Sequence, residues 1–366
     1  MLNETLCRLA LQYLPNYGNV IIKKIIEETG SAHAVFHDVA LHKHFIKKIN
    51  RALSRPVITD EIRRKIEDEL AWMSANHVNI CFVADENYPH RFQNCNDTPY
   101  MFYYKGNGHF NRQKSVAIVG TRNASIYGKE VVKKIISELA ACNLSIVSGL
   151  AEGIDTMAHE GALAYNLHTI AVLGSGLGRI YPDSNHKLAR DMVEQGGSLI
   201  SEFPYRTIPD RGNFPKRNRI IAALADVVIV AESALKGGSI ITAYIAHSYN
   251  RDIFAVPGSV FQGSSAGCHE LIRRNIAGII TSGKELMEMM RWCDEKPKTV
   301  QRALFLDLTE EEKTLTTLIE YHGECPIDII NGTVSNLTPS KIAGILLGLE
   351  LKGVLECRPG KVYRMI

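Results

Sequence analysis

The chain has 366 residues, and a domain usually takes about 150 residues, so this length predicts about two to three domains. Hydrophobic residues make up 45% and charged residues 22% of the sequence, a balance that is typical of a globular protein and excludes a disordered or fibrous one. The 42 basic and 39 acidic residues leave a net charge of +3. Any contact with nucleic acid must therefore come from a local basic patch and not from the overall charge.

Further features of the sequence predict a cytoplasmic protein. The eight cysteines are scattered without a CxxC pair, which indicates reduced thiols and neither a disulfide framework nor a metal site. No stretch approaches the roughly 18 to 20 apolar residues that a membrane helix needs. The N-terminal segment has Glu4 where a secretory signal would be basic. We expect no membrane insertion, no metal and no cofactor.

The first segment, residues 1–55, has a helical pattern of apolar residues on both sides of the sequence LPNYG (14–18). These positions are Leu6, Leu9, Leu11, Leu14, Ile21, Ile22, Ile25 and Ile26. Two helices joined by a short glycine-containing turn fit this pattern. Such a pair occurs in SAM- or helix-hairpin-helix-like modules, whose turn presents amides to phosphate, and also in small helical packing domains. The sequence leaves both interpretations open.

The second segment, residues 56–296, alternates short β-rich runs with helical stretches. The predicted strands are Ser115–Gly120, Leu144–Ser148, His168–Leu173, Ser198–Glu202, Val227–Ala231 and Asp252–Val256. The predicted helices include Tyr127–Ala141, Ala151–Asn166, Asn185–Gln195 and Ile240–Tyr249. Strands that are apolar throughout are buried on both faces, as in a parallel sheet that helices cover. The pattern predicts an α/β, Rossmann-like, doubly wound and mostly parallel sheet.

The third segment begins after a predicted linker at 297–308 and covers residues 309–366. Thr309 and Glu312 form a capping-box pattern, Thr338-Pro339 begins a second helix, and VLECRPGKVYRMI has the pattern of a β-hairpin. Helices followed by a hairpin predict a winged-helix module. It carries six Lys or Arg against eight acidic residues, and its second helix is dominated by Ile and Leu. A helix that reads duplex DNA needs cations toward the groove. We therefore expect this module to contact protein and to bind DNA only weakly.

Glycines and cations follow several of the predicted strands, where ligands of open α/β sheets collect. Glycine lets a backbone approach a ligand, arginine supplies a planar cation for phosphate, and helix N-termini hold anions. The residues that we assign to this phosphate-binding rim are Gly120, Thr121, Arg122, Ser148, Gly149, Lys236, Gly237, Gly238 and Ser239.

A basic strip, RGNFPKRNR (211–219), lies between two predicted strands, and we expect it just before a helix. It contains four cations and no acidic residue. Lys216 and Arg217 would neutralise phosphates, Phe214 would stack on a base, and Asn218 would contact a base edge or the backbone. Cations are disfavoured at a helix N-terminus by the macrodipole, so an anionic partner gives a reason for their presence.

Six ordered motifs in the middle segment closely resemble the DNA-processing protein A (DprA/Smf) family. They are VAIVGTR (116–122), SGLAEGIDTMAH (148–159), LGSGLGRIYP (173–182), FPKRNRII (214–221), GGSIITA (237–243) and FAVPG (254–258). The resemblance implies a bacterial cytoplasmic protein that binds single-stranded DNA, protects incoming DNA in natural transformation and loads the RecA recombinase onto it. It also implies a homodimer without catalytic activity. The DNA contacts that it implies are Arg122, the Ser148-Gly149 turn, Lys216, Arg217 and Asn218, with Gly237-Gly238-Ser239 as a pocket wall.

An enzyme that processes a nucleotide is the alternative interpretation of the same rim. It would hold one nucleoside phosphate, with Asp155 or Glu202 as the acid–base group. Asp155 and His159 lie four residues apart on one predicted helix, where we expect a structural pair that orients the Gly149 turn. The basic strip argues against this alternative, because a single nucleotide does not need so many cations.

Overall fold

The computed structural model describes residues 4–38, 40, 44, 57–93, 95–292, 308–334, 337–352, 354–358 and 361–365. These residues fall into two compact units, Met1–Trp292 and Cys293–Ile366, and each is described by itself. The predicted linker at 297–308 lies outside the described residues except for Leu308, and so do residues 45–56 at the predicted end of the N-terminal module. The predicted domain boundaries stay predictions.

One nine-stranded sheet forms the centre of the first unit. Its strands are β1 (Asn79–Phe82), β2 (Met101–Gly106), β3 (Lys114–Gly120), β4 (Leu144–Ser148), β5 (His168–Val172), β6 (Ser198–Ser201), β7 (Val227–Glu232), β8 (Asp252–Ala255) and β9 (Gly278–Ile279). Their order is β1-β2-β6-β5-β4-β3-β7-β8-β9. The strands from β6 to β9 in this order are parallel, whereas β1 and β2 pair antiparallel at one edge.

Helices cover both faces of this sheet. They are α1 (Glu4–Ala10), α2 (Asn19–Thr29), α3 (Ala32–His37), α4 (Asp60–Asn76), α5 (Ile126–Leu139), α6 (Ile154–Ala164), α7 (His186–Glu194), α8 (Asn213–Leu224), α9 (Gly238–Ser248), α10 (Ala266–Arg273) and α11 (Gly283–Met289). The predicted mostly parallel α/β fold is confirmed. The edge strands β1 and β9 and the inner strand β2 were not predicted; β1 and β9 have only four and two residues, too few to show a periodicity that distinguishes a strand from a loop.

The side chains of β3 show why its sequence is apolar throughout. Ala117 and Val119 belong to a core with the apolar side of α8 and α9, whereas Val116 and Ile118 belong to the core beneath α5 and α6. Successive side chains of a strand point to opposite faces, so a strand covered on both sides has no solvent face. The sheet is therefore packed on both faces at the point from which its loops emerge.

The N-terminal helices share a core with the rest of the first unit instead of forming a separate one. The buried apolar residues of α1 and α2 share one cluster with residues of β2 and of the loops after β4 and β5. Polar contacts join the same parts: the Tyr100 hydroxyl donates to the Arg8 carbonyl at 3.2 Å, and the Gln12 amide contacts the Tyr103 hydroxyl at 3.0 Å. Tyr17 of the LPNYG turn is buried here.

The topology locates a crevice on the sheet. From β3 the chain proceeds through β4, β5 and β6 on one side, and then crosses to β7, β8 and β9 on the other. Because the connection after β3 leads toward β4 and the connection after β7 leads the opposite way toward β8, the loops after these two neighbouring strands separate at their carboxyl ends. This gap between the β3 and β7 loops is the place where open α/β sheets bind ligands.

The second unit contains short helices and a three-stranded antiparallel sheet. In chain order it has α12 (Glu310–His322), β10 (Glu324–Pro326), α13 (Ile327–Thr333), α14 (Pro339–Leu351), β11 (Leu355–Arg358) and β12 (Val362–Met365). The predicted capping box is present, since Thr309 and Glu312 each accept a hydrogen bond from the other's backbone amide. The predicted helix after Thr338 and the C-terminal hairpin are confirmed.

The described part of the chain contains neither a membrane-spanning helix nor a cluster of metal ligands. None of its helices is long and apolar enough to cross a membrane. No three His, Cys, Asp or Glu side chains in this part group as metal ligands would. The described cysteines form no disulfide with one another.

Candidate nucleic-acid interface

A cavity of about 360 Å³ opens between the loops after β3 and β7. Most of the predicted rim and strip residues line it: Gly120, Thr121, Arg122, Phe214, Arg217, Asn218, Gly237, Gly238 and Ser239. Asp155, Ile241 and Thr242 complete much of the remaining wall. A volume of this size lies in the range of small-molecule sites and accommodates a nucleobase with its sugar.

Arg122 and Phe214 meet at the mouth of this cavity. Arg122 follows β3 and is exposed, and its guanidinium carbon lies 5.2 Å from the centre of the Phe214 ring. At this distance the cation is attracted to the aromatic face. The pair places a positive charge and a flat apolar ring side by side.

The basic strip lies inside a helix, which corrects the prediction that it precedes one. Helix α8 begins at Asn213, so Phe214, Lys216, Arg217 and Asn218 belong to its first turns. A proline in the first turn costs no backbone hydrogen bond, because that amide has no partner within the helix. The proline at 215 is therefore part of the helix and not its boundary.

Arg217 is not a solvent-facing cation. Its side chain is 4% exposed, and its Nη1 donates to the carbonyls of Gly149 (2.6 Å) and Val172. These carbonyls belong to the ends of β4 and β5, so the guanidinium ties α8 to two neighbouring loops. Nη1 therefore has a positioning role, whereas the predicted phosphate contact of Arg217, which lines the cavity, stays a prediction. Its exposed neighbour Lys216 faces solvent but is not among the residues lining the cavity.

Asp155 balances this buried charge. Burial raises the pKa of the Asp155 carboxyl, and Arg217 opposes that rise. Burial lowers the pKa of Arg217 to about 10, against the attraction of Asp155, so the guanidinium keeps its proton at neutral pH. Asp155 Oδ2 also accepts from the Gly149 amide at 3.1 Å. The predicted orienting role of Asp155 on the Gly149 turn is confirmed.

His159 does not pair with Asp155. Its Nδ1 contacts the Thr169 hydroxyl at 2.7 Å, and burial together with the charge of Arg217 lowers its pKa to about 3. A neutral, fully buried imidazole of this kind supports packing between α6 and β5. The expected pair is therefore wrong for His159, although its four-residue spacing from Asp155 is that of one helix face.

The N-terminus of α9 forms the opposite wall of the cavity. Gly237 caps the helix without a side-chain hydrogen bond, and Gly238 and Ser239 provide the first two amides of the helix. Such amides have no partner within the helix and carry the positive end of its dipole, so they favour an anion. The Asn218 amide donates to the Gly238 carbonyl at 3.4 Å, which joins this wall to α8. Lys236 is exposed next to the wall and does not line the cavity.

Several rim residues serve the scaffold. The Ser148 hydroxyl donates to the Ile118 carbonyl at 2.6 Å and is buried. The Thr121 amide donates to the Glu232 carbonyl at 2.7 Å, and the Ser239 hydroxyl donates to that of Ser233 at 2.8 Å. These groups fix the loops, and a ligand would have to use the remaining amides and side chains.

Glu202, the other acid–base candidate, lies outside the cavity wall. Its carboxylate pairs with Arg219, and both side chains are largely buried. Burial raises the pKa of Glu202, while Arg219 and Lys216 oppose that rise. The pair joins the loop after β6 to α8, so it does not supply a reacting group to the cavity.

Asn185 and Tyr181 were missed by sequence reasoning. The buried Asn185 amide donates to the Leu150 carbonyl and to the Thr156 hydroxyl, each at 2.9 Å. Leu150 has a left-handed φ of 57°, a conformation that such an external contact helps to hold. Tyr181 lies 5.8 Å from Phe214 between ring centres. No periodicity marks a loop residue, so only the spatial neighbourhood reveals them.

Comparison with known proteins identifies the family. The sequence model of DNA recombination-mediator protein A matches residues 79–291, more than half of the chain. The chain belongs to this family. The Smf protein of Escherichia coli is 34% identical over 328 residues, which cover 87% of this chain and 84% of that protein. DNA processing protein DprA of Streptococcus pneumoniae is 42% identical over 205 residues, which cover 56% of this chain and 72% of that protein.

Solved structures of the DNA recombination-mediator protein A family share the fold. That of Streptococcus pneumoniae DprA superposes with a TM-score of 0.57 at 33% identity and covers 74% of this chain and 97% of that one. That of Helicobacter pylori DNA processing protein A, described for its single-stranded DNA binding mode, gives 0.54 at 32% identity and covers 60% and 98%. The family consists of DNA-binding recombination mediators and not of enzymes, which argues against the nucleotide-processing alternative.

Proposed function

We propose that this chain binds single-stranded DNA without sequence preference and uses the cavity between the β3 and β7 loops to do so. The observation that carries the proposal is the position of Arg122 and Phe214 at the mouth of a cavity that ends at an open helix N-terminus. Cation, aromatic ring and free amides are the groups that single-strand binders combine.

The shape of the cavity favours a single strand over a duplex. One unstacked base enters the cavity, where Phe214 offers an aromatic face and Asn218 an amide. The adjoining phosphates lie between Arg122 and the first amides of α9, at Gly238 and Ser239. A duplex keeps its bases paired and stacked, so it would have to extrude a base before using the cavity, and that costs a few kcal/mol.

Electrostatics supplies most of the affinity in this proposal. Lys216 and Lys236 are exposed, do not line the cavity and add phosphate contacts outside it. The affinity should then fall with salt, with a logarithmic slope of about −0.7 for each phosphate neutralised on a single strand. The Arg217 charge contributes through the field; its Nη1 is bonded to the Gly149 and Val172 carbonyls, whereas its buried Nε has no hydrogen-bond partner among the described residues.

A filter-binding titration with oligo-dT tests the proposal. Arg122→Ala should weaken binding by at least tenfold, because a charge-assisted hydrogen bond contributes about 1.5–3 kcal/mol, and it should reduce the salt slope by about 0.7. Arg273→Ala is the matched control, since Arg273 is 71% exposed and paired with Glu270. Equal affinities of the wild type, Arg122→Ala and Arg273→Ala proteins would refute the site. Equal affinities for single-stranded and duplex DNA would refute the base-entry step.

The wider role follows from family membership and is part of the same proposal. We expect a cytoplasmic homodimer that protects incoming DNA and loads the RecA recombinase in natural transformation or homologous recombination. A mobility shift on single-stranded DNA with and without RecA tests the loading step, and analytical ultracentrifugation tests the dimer. An unchanged RecA occupancy on the DNA would exclude loading.

The terminal parts have proposed roles as well. We infer that the second unit is a winged helix, because its order of helices and strands ends in an antiparallel hairpin beside α14. Its excess of acidic residues favours a protein partner over DNA. The helices around the LPNYG turn stay open between a phosphate-binding module and a packing module.

A further inference from the structure

A second aromatic ring lies beside the cavity, on the side away from α9. Tyr181 belongs to the loop after β5 and is 43% exposed, and its ring is tilted by 44° against that of Phe214. Phe214 therefore lies near Arg122 at the cavity mouth and near Tyr181 of the loop after β5. Gly174 allows this arrangement, because a Cβ there would lie 2.8 Å from the Phe214 ring.

A narrow cleft separates Tyr181 from the cavity. Phe214, Arg122 and Arg217 line both spaces, while Tyr181 and Glu152 line only the cleft. The cleft has a volume of about 20 Å³, which holds about one water molecule and no base. The Glu152 carboxylate also disfavours a phosphate inside it. The remaining binding surface on this side is the exposed face of the Tyr181 ring.

We propose that Tyr181 is a second stacking platform, on which the base next to the one in the cavity lies. The inference rests on the proposed function and extends the path of the single strand from the β3 and β7 loops to the β5 loop. The ring centres of Tyr181 and Phe214 are 5.8 Å apart, less than twice the 3.4 Å thickness of a stacked base. A base cannot insert between the two rings, so it lies on the outer face of Tyr181.

The distribution of cations favours this direction over the opposite one. The loop after β8 carries Phe261, which is 96% exposed and would be the alternative platform. The sequence from 252 to 272, which includes that loop, has no lysine or arginine. The segment 179–187, which contains Tyr181, carries the exposed cations Arg179 and Lys187 against one exposed carboxylate, Asp183. A polyanion binds where stacking and cations occur together, so the strand follows the β5 loop.

Titration of oligo-dT of twelve nucleotides measures the contribution of the ring. Tyr181→Ala should weaken binding by about tenfold, because stacking of one base on an aromatic side chain has an effect of this order. Tyr181→Phe should bind like the wild type, since the ring face is retained. Phe261→Ala is the matched control for loss of an exposed aromatic ring and should leave the affinity unchanged.

A short competitor separates stacking from an indirect effect on Phe214. Thymidine 3′,5′-bisphosphate fills only the cavity, so its affinity should be equal in the wild type and in Tyr181→Ala. A loss of affinity for this competitor as large as that for oligo-dT would mean that Tyr181 acts by positioning Phe214, and the second platform would be wrong.

Fluorescence gives an independent readout. The indole introduced by Tyr181→Trp should be quenched on addition of oligo-dT, and the one introduced by Phe261→Trp should not. The reverse result overturns the second platform and leaves the proposed function intact. The same conclusion follows if Tyr181→Ala binds oligo-dT as tightly as the wild type does. A wild type that does not bind oligo-dT overturns both.

Discussion

The substitution Arg217→Met tests whether the buried Arg217 guanidinium positions the surrounding loops or contacts DNA. Nη1 makes two hydrogen bonds to the Gly149 and Val172 carbonyls. Hydrogen bonds to a charged group contribute about 1.5–3 kcal/mol each, and the methionine chain regains part of the loss by packing, so the net destabilisation should be about 3 kcal/mol. Removing the cation also leaves the Asp155 carboxylate buried without its opposing charge.

Urea unfolding followed by tryptophan fluorescence measures this change. Trp72 and Trp292 both belong to the first unit, so their emission reports on the part of the chain that contains Arg217. Lys216→Met is the matched control, because it removes an exposed cation from the same helix. We expect it to weaken oligo-dT binding and to change the free energy of unfolding by less than about 0.5 kcal/mol.

The pH dependence of Arg217→Met gives a second criterion. Arg217 opposes the rise in the pKa of Asp155, so its removal raises that pKa further. A raised carboxyl pKa means that the folded protein takes up a proton more readily than the unfolded chain, and the cost of the buried charge disappears as the pH falls below it. The destabilisation should therefore be smaller at pH 5 than at pH 8, and Asp155→Asn should relieve part of it. If Arg217→Met unfolds like the wild type while losing DNA affinity as Lys216→Met does, the positioning role is wrong.

Two further predictions concern stability. Burial raises the pKa of Glu69 from 4.5 to about 7, so the buried carboxylate destabilises the folded state increasingly between these pH values and fully above them. Glu69→Gln should therefore raise the free energy of unfolding on the order of 2 kcal/mol at pH 8 and leave it unchanged at pH 4.5. Equal effects at both pH values would contradict this prediction. Gly149→Ala should destabilise the protein by at least about 2 kcal/mol in urea unfolding, because the new Cβ would lie 2.5 Å from the Arg217 guanidinium carbon. Gly238→Ala is the control: its Cβ would meet open space, so stability should change by less than about 1 kcal/mol. Similar losses in both variants would contradict the packing argument.

Much of the fold could be predicted because buried parallel strands leave a strong local signal. β4 was predicted with its observed bounds, and β3, β5, β6, β7 and β8 to within a residue. Each is apolar at successive positions, as a strand covered on both faces must be. The edge strands β1 and β9 lack this signal because they are short and only partly covered, and β2 lacks it because only its first three residues are buried. The start of α8 was misplaced because a proline stands in its first turn.

The sequence by itself determined most of the residues that line the cavity, because parallel strands carry the residues that follow them to one edge of the sheet. It could not decide which of these residues face a ligand. Arg217 and Lys216 are adjacent and chemically similar, yet the helix places one beneath the rim and the other in solvent. Residues one apart on a helix point about 100° away from each other, so burial depends on what packs against each face, and only the tertiary structure fixes that.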